Sequence, residues 1–160
     1  TDYELGKSIE ECNNKVKGDM FELFTALFFD AYKGDRSINL HDVKWAYRDQ
    51  VGYDFIAKTR KNSPAVIQSK FVGNATAEFN SGRLETFFKE LPEGLLIEPK
   101  LPSRILFTTA GKVAPLYIKE QRRLQGNFLI VDRKTIKRFT NGDQGFWGQC
   151  KDIGERIFTK

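Results

Sequence analysis

Two short segments place polar residues where their neighbours predict burial: Gly52-Tyr53-Asp54-Phe55-Ile56-Ala57, and Ala65-Val66-Ile67-Gln68-Ser69-Lys70-Phe71. Side chains alternate between the faces of a strand, so Val66, Gln68 and Lys70 share one face and Ala65, Ile67, Ser69 and Phe71 the other. Apolar flanks predict that this strand is buried, and a buried ammonium without a partner is very costly. Something negative must therefore face Lys70, and Asp54 is the nearest candidate. A carboxylate, an amide oxygen and an ammonium grouped in this way suit hydrolysis of a phosphodiester. Oxygen ligands hold a hard cation, typically magnesium, which polarises the phosphate and lowers the pKa of an attacking water. The lysine orients that water or stabilises the developing charge. A plain Lys–Asp pair at a strand end, with no metal, would use the same residues.

The elements that must position these residues follow from the pattern. Met20, Leu23, Phe24, Leu27 and Ala31 recur at helical spacing, predicting a helix from about Lys17 to Tyr32 that ends at Gly34. Residues 1–15 are polar and weakly patterned, and read as an arm or short helix. Three extended runs follow, at Asp42 to Tyr47, Tyr53 to Thr59 and Pro64 to Phe71. Arg60-Lys61-Asn62-Ser63 turns the second run into the third as a β-hairpin, and Pro64 sits at a first position, where it removes no ladder bond. Leu84, Phe87, Phe88 and Leu91 mark a second helix, and Arg104 to Thr108 a buried strand. Val113, Leu116, Tyr117 and Leu124 mark a third helix. Phe128 to Val131 is another buried strand, and Arg133 to Phe139 a last short helix. Strand–helix–strand in this half predicts a parallel pair. The whole reads as an α/β chain with a central mixed sheet, an antiparallel hairpin plus parallel strands, flanked by helices on both faces. The tail after Asn141 carries Gly142, Gly145, Gly148 and Gly154 with Phe146 and Trp147 among them, and reads as a loop-rich edge or docking segment that packs on the domain or leads to a further one.

Trp45 through Ala57 followed by Ala65 through Phe71 resembles the Mrr-like nuclease branch of the PD-(D/E)xK superfamily, and in particular the form fused to superfamily-two helicases in restriction enzymes and phage proteins. That branch has Gln where the wider superfamily has Glu. Gly18-Asp19-Met20-Phe21-Glu22 is similar to its first-helix motif, and the segments Ile105 to Gly111 and Phe128 to Asp132 resemble its last two core strands. The resemblance covers residues 16–140 and implies a restriction-endonuclease-like fold. It implies that Asp54 binds metal through its carboxylate, with Gln68 offering its side-chain oxygen, Ser69 its backbone carbonyl, and Glu22 a further carboxylate. Lys70 would be the catalytic lysine. The cofactor implied is Mg2+, with Mn2+ able to substitute. Asp49 lies five residues before Asp54 where the family often has four, so it reads as a turn residue.

The rest of the composition agrees with this reading. At 160 residues, 40% apolar and 29% charged, the chain is one ordinary domain with a real core, and fourteen Phe in periodic segments favour tight packing. The formal charge of +5 favours a polyanionic partner, DNA above all, although a merely soluble surface gives the same number. Arg60, Lys61 and Lys112 are the expected DNA contacts. The sets Lys119, Arg122, Arg123 and Lys134, Lys137, Arg138 lie at helical spacing, most simply as solvated faces. One His and two Cys, Cys12 and Cys150, fit no zinc or redox spacing and nearly exclude a His-dependent nucleophile, and the thiols read as reduced, as in a cytoplasmic protein. His41 reads as a loop residue without a metal role. Trp45, Phe87 and Phe88 read as core rather than base-stacking platforms. No membrane span is expected. Thr1 as first residue fits either loss of an initiator Met or a piece of a longer chain. The expected activity is that of a Mg2+-dependent deoxyribonuclease, an endonuclease serving as the cleavage module of a restriction, phage or helicase-linked system, with a helicase or translocase as partner. The alternative is a catalytically silent nucleic-acid-binding or docking module with the same fold.

Overall fold

A computed structural model describes residues 2–46, 53–73, 78–79, 103–123 and 128–158. The chain opens with α1, Asp2–Ala31, one helix of 30 residues. Residues 2–15, read as an arm or short helix, are thus the first half of this helix. In their sequence only Gly6 disfavours a helix, and a single glycine is tolerated. After α1 come β1 (Leu40–Trp45), β2 (Phe55–Thr59) and β3 (Pro64–Lys70). Next are β4 (Glu78–Phe79), β5 (Ser103–Thr108), β6 (Lys112–Val113) and α2 (Pro115–Arg123). The last elements are β7 (Phe128–Val131), α3 (Arg133–Thr140) and α4 (Gln144–Phe158). The helix expected around Leu84 to Leu91, with Phe87 and Phe88, lies outside the described residues, as does Asp49.

One five-stranded sheet has the order β1-β2-β3-β5-β7, with β2 antiparallel to both β1 and β3, β5 parallel to β3, and β7 parallel to β5. β3 is therefore the seam between an antiparallel hairpin and a parallel half. The hairpin turns at Arg60 to Ser63, where Asn62 takes φ 60° and Thr59 and Ser63 close the loop by a 2.8 Å backbone bond. β1 begins two residues earlier than its pattern suggests. Its pairing with β2 shifts by one residue between His41 and Lys44, a bulge in which Asp42 takes φ 52°. β4 and β6 form a separate two-stranded parallel pair, too short to leave a periodic signal in sequence.

Alternation divides the sheet between two cores. Ala65, Ile67, Ile105, Phe107 and Val131 face α1, α3 and α4, where Phe21, Phe28, Phe29, Ile136 and Phe146 pack on them. Val66, Leu106 and Phe128 face α2, whose Tyr117 closes that side together with Ala110 and Ala114. α2 starts at Pro115, whose fixed φ and missing N–H suit the first position of a helix. Asp132 caps α3 by accepting from the Thr135 N–H at 3.0 Å.

Three readings need correction. His41 lies on β1, paired with Lys58, and not in a loop. The tail is helical, not loop-rich. Each glycine inside a helix costs about 1 kcal/mol relative to alanine, yet α4 forms because tertiary contacts outweigh that cost. The Asp143 carboxylate accepts from Phe146 N–H at 3.0 Å, and Phe146 is buried against Phe24, Phe28 and Tyr32. The Trp147 indole N–H donates to Thr140 O at 2.8 Å. Trp45 is not core. It lies on the outer strand of the hairpin, 51% exposed, with one flank against Phe55 at a ring separation of 4.5 Å. Among the described residues no helix is long and apolar enough to cross a membrane.

Candidate active site

The site forms where the antiparallel hairpin meets the C-terminal ends of the parallel strands. Phe55 pairs with Ile67 and Ile56 with Val66. Continued by one residue, that register sets Asp54 opposite Gln68. The Asp54 N–H donates to Ile67 O at 2.8 Å, so the ladder runs past the formal start of β2. The Asp54 backbone carbonyl accepts from Ala46 N–H at 2.9 Å, and its carboxylate Oδ2 accepts from Ser69 N–H at 2.8 Å. Asp54 is thus held by hydrogen bonds on both flanks.

Ser69 links this strand to α1. Its Oγ lies 2.9 Å from the Oγ of fully buried Thr25, and the Thr25 hydroxyl also donates to Phe21 O at 2.7 Å. Thr25 is one helical turn beyond Glu22, so the contact that docks α1 on β3 also brings Glu22 to the sheet end. Glu22 and Asp54 are hydrogen-bonded to each other. Burial, above all, pushes the Glu22 carboxyl up to about 7. The negative charge of Asp54, its hydrogen bond and the charge of Asp19 act in the same direction, and the Lys70 ammonium opposes them. Asp54 is also raised by burial, against the Ser69 amide, the Lys70 ammonium and the bond from Glu22. Below about pH 7 the pair therefore favours keeping one proton between the two carboxyls, with Glu22 as its donor.

Gln68 is buried at 7% exposure, with Ser69 beside it at 8%. Lys70, the last residue of β3, is only half-buried. The strand end lets its ammonium reach water, so the cost expected of a buried lysine is smaller here, while its field still acts on both carboxyls. The structure thus brings Glu22, Asp54, Gln68, Ser69 and Lys70 together. Lys112 is exposed on β6, shortly after the end of β5 and in the separate β4–β6 pair. Arg60 and Lys61 do not join them. The hairpin turn is at the other end of β2, whose five residues span roughly 16 Å. There the Arg60 guanidinium donates to Gly34 O at 3.1 Å and its N–H to Asn39 Oδ1 at 3.1 Å. Proximity in sequence misled because β2 runs away from the site before the chain returns.

Three residues that pattern reasoning passed over also lie here. They are Thr25, described above, and the pair Thr109 and Arg133 beyond the ends of β5 and β7. A threonine at a core position of a Phe-rich helix is a signal that could have singled out Thr25. Nothing in the spacing singles out the other two.

The donor chemistry suits a hard cation: two carboxyl groups and an amide, all oxygen, with a shared proton that a cation could displace. Among the described residues there is no group of three or more His, Cys, Asp or Glu arranged for a metal, because Gln68 stands where a third acid would complete one.

No protein-family model matches the chain, and no curated protein sequence matches it. Among solved structures, the chain is similar to the MspJI restriction endonuclease in complex with a 27-mer oligonucleotide, with a TM-score of 0.56 and 16% sequence identity. The match covers 88% of this chain and 32% of MspJI, so the chain spans about a third of that protein's length. A five-stranded mixed sheet with helices on both faces and this structural likeness establish the architecture: the chain has a restriction-endonuclease-like fold.

Proposed function

We propose that the chain is a metal-dependent DNA nuclease, an Mrr-like member of the PD-(D/E)xK superfamily, acting as the cleavage module of a restriction, phage or helicase-linked system. The observation that carries this reading is the meeting of Glu22, Asp54, Gln68 and Lys70 at one sheet edge of a restriction-endonuclease-like fold. Glu22, Asp54, the Gln68 side-chain oxygen and the Ser69 carbonyl would hold Mg2+, with Mn2+ able to replace it. A cation held there would supply Lewis-acid polarisation of the scissile phosphate. Lys70 stabilises charge as it develops on the phosphate oxygens. The Ser69 amide keeps the Asp54 carboxylate aimed at the site by holding Oδ2. Lys112 contributes a contact to the DNA backbone near the cut, while Arg60 and Lys61 are left only remote backbone contacts, on the far side of the sheet.

The rival reading is a silent DNA-binding module, and the neutral Gln68 in place of a third acid is the observation that favours it. A nicking assay on supercoiled DNA separates the two. Cleavage in Mg2+ or Mn2+ that stops in chelator is expected. Undiminished cleavage in chelator would refute the metal mechanism, and binding without cleavage in either metal would establish the silent module.

A further inference from the structure

Just past the site, three chain segments are tied by two side chains. The Thr109 hydroxyl accepts from Val72 N–H at 2.7 Å and donates to Val72 O at 2.9 Å, prolonging the pairing of β3 with β5 beyond its last pair, Lys70 with Thr108. Arg133, the first residue of α3, donates through Nε to Thr109 O at 2.6 Å and through Nη2 to Val72 O at 3.3 Å. Its own backbone N–H bonds to Ala110 O at 3.2 Å. Among the described residues, Arg133 has no carboxylate partner. A half-buried guanidinium spent on backbone carbonyls is an unusual use of a side chain whose five donors suit carboxylate or phosphate. What it holds is the two-residue exit that follows Lys70.

We propose that Arg133, with Thr109, is a positioning residue for Lys70: the pair clamps the exit of β3 so that the ammonium stays fixed over the carboxyl pair. The inference rests on the nuclease reading with Lys70 as the catalytic lysine. Without the clamp, the ladder ends at Lys70 itself, and the final residue of a strand frays. Phe71 restrains the exit little, since it is 43% exposed, with its ring 5.8 Å from that of Phe21. Because Lys70 acts on charge that develops in the transition state, fraying should lower kcat and leave KM and DNA affinity alone. Small displacements of a catalytic group can cost on the order of 100-fold in rate.

The test uses Arg133→Lys, which keeps the charge but loses the planar fork, with Thr109→Val and its conservative control Thr109→Ser. Single-turnover cleavage, DNA affinity and hydrogen exchange of the peptide spanning Lys70 to Gly73 are measured on each. Expected are a fall in kcat on the order of 100-fold at unchanged KM for Arg133→Lys and Thr109→Val, faster exchange in that peptide, and recovery of both in Thr109→Ser. A rise in KM at unchanged kcat would overturn the proposal in favour of direct phosphate contact. Faster exchange with unchanged kcat would overturn it as well, leaving a purely structural clamp. A wild-type protein that does not cut overturns the nuclease reading and this inference together. A wild type that cuts beside an Arg133→Lys that cuts equally well overturns this inference alone.

Discussion

The proton shared by Glu22 and Asp54 makes stability depend on pH in a direction opposite to that of most acidic residues. Glu22 is raised from 4.5 to about 7. Between these values the folded chain holds a proton that the unfolded chain has released, so stability is fully present below about pH 4.5 and falls as pH rises through about 7. At 1.36 kcal/mol per pH unit, the ceiling of this effect is about 3.4 kcal/mol. Glu22 is partly exposed, and salt screens its neighbours Asp54, Asp19 and Lys70, so we expect about 1 kcal/mol at physiological salt. Glu22→Gln mimics the protonated form and can still donate to Asp54 at every pH. In chelator, urea unfolding should find the two proteins equally stable near pH 5, and the variant more stable by about 1 kcal/mol near pH 8. Asp35 and Asp143, whose carboxyls are lowered by hydrogen bonds, titrate in both proteins and cancel in the difference. A difference that stays constant from pH 5 to 8 would refute the shared proton.

Other expectations concern the reaction and the tail. Lys70→Ala should abolish cleavage while leaving the fold and DNA affinity intact. Asp54→Asn should also abolish it, with partial recovery in high Mn2+ that Lys70→Ala does not show, and parent-like cutting by both would place the chemistry elsewhere. Phe146→Ala should destabilise the chain by about 3 kcal/mol in chemical denaturation, because that ring fills the space between α1 and α4. A loss under about 0.5 kcal/mol, the size of an ordinary surface substitution, would show that α4 adds little to the core.

The hairpin was legible from two extended runs joined by the polar turn Arg60 to Ser63, and the observed register, continued by one residue, sets Gln68 opposite Asp54. The parallel half was legible from two apolar runs flanking a helical one. The helix α4 was not, since its glycines argue locally for loop, and contacts from α1, far away in sequence, help to outweigh them. The burial of Lys70 was overestimated, because the pattern shows which face a residue takes and not how near the strand is to its end. Arg60 and Lys61 show the same limit from the other side: both follow Asp54 closely in sequence, yet the length of β2 puts them at the opposite end of the sheet.

The bulge in β1 has a consequence for solubility. Among the described residues β1 is the outermost strand beyond β2, and the outer row of N–H and C=O groups on such a strand would invite a strand from another molecule. The one-residue slip between His41 and Lys44, with Asp42 forced into a left-handed conformation, interrupts that row in the middle. An incoming strand therefore finds no continuous ladder on this margin and meets the charged side chains of Asp42 and Lys44 instead, both exposed. The irregularity guards the sheet against growing by addition of its own copies.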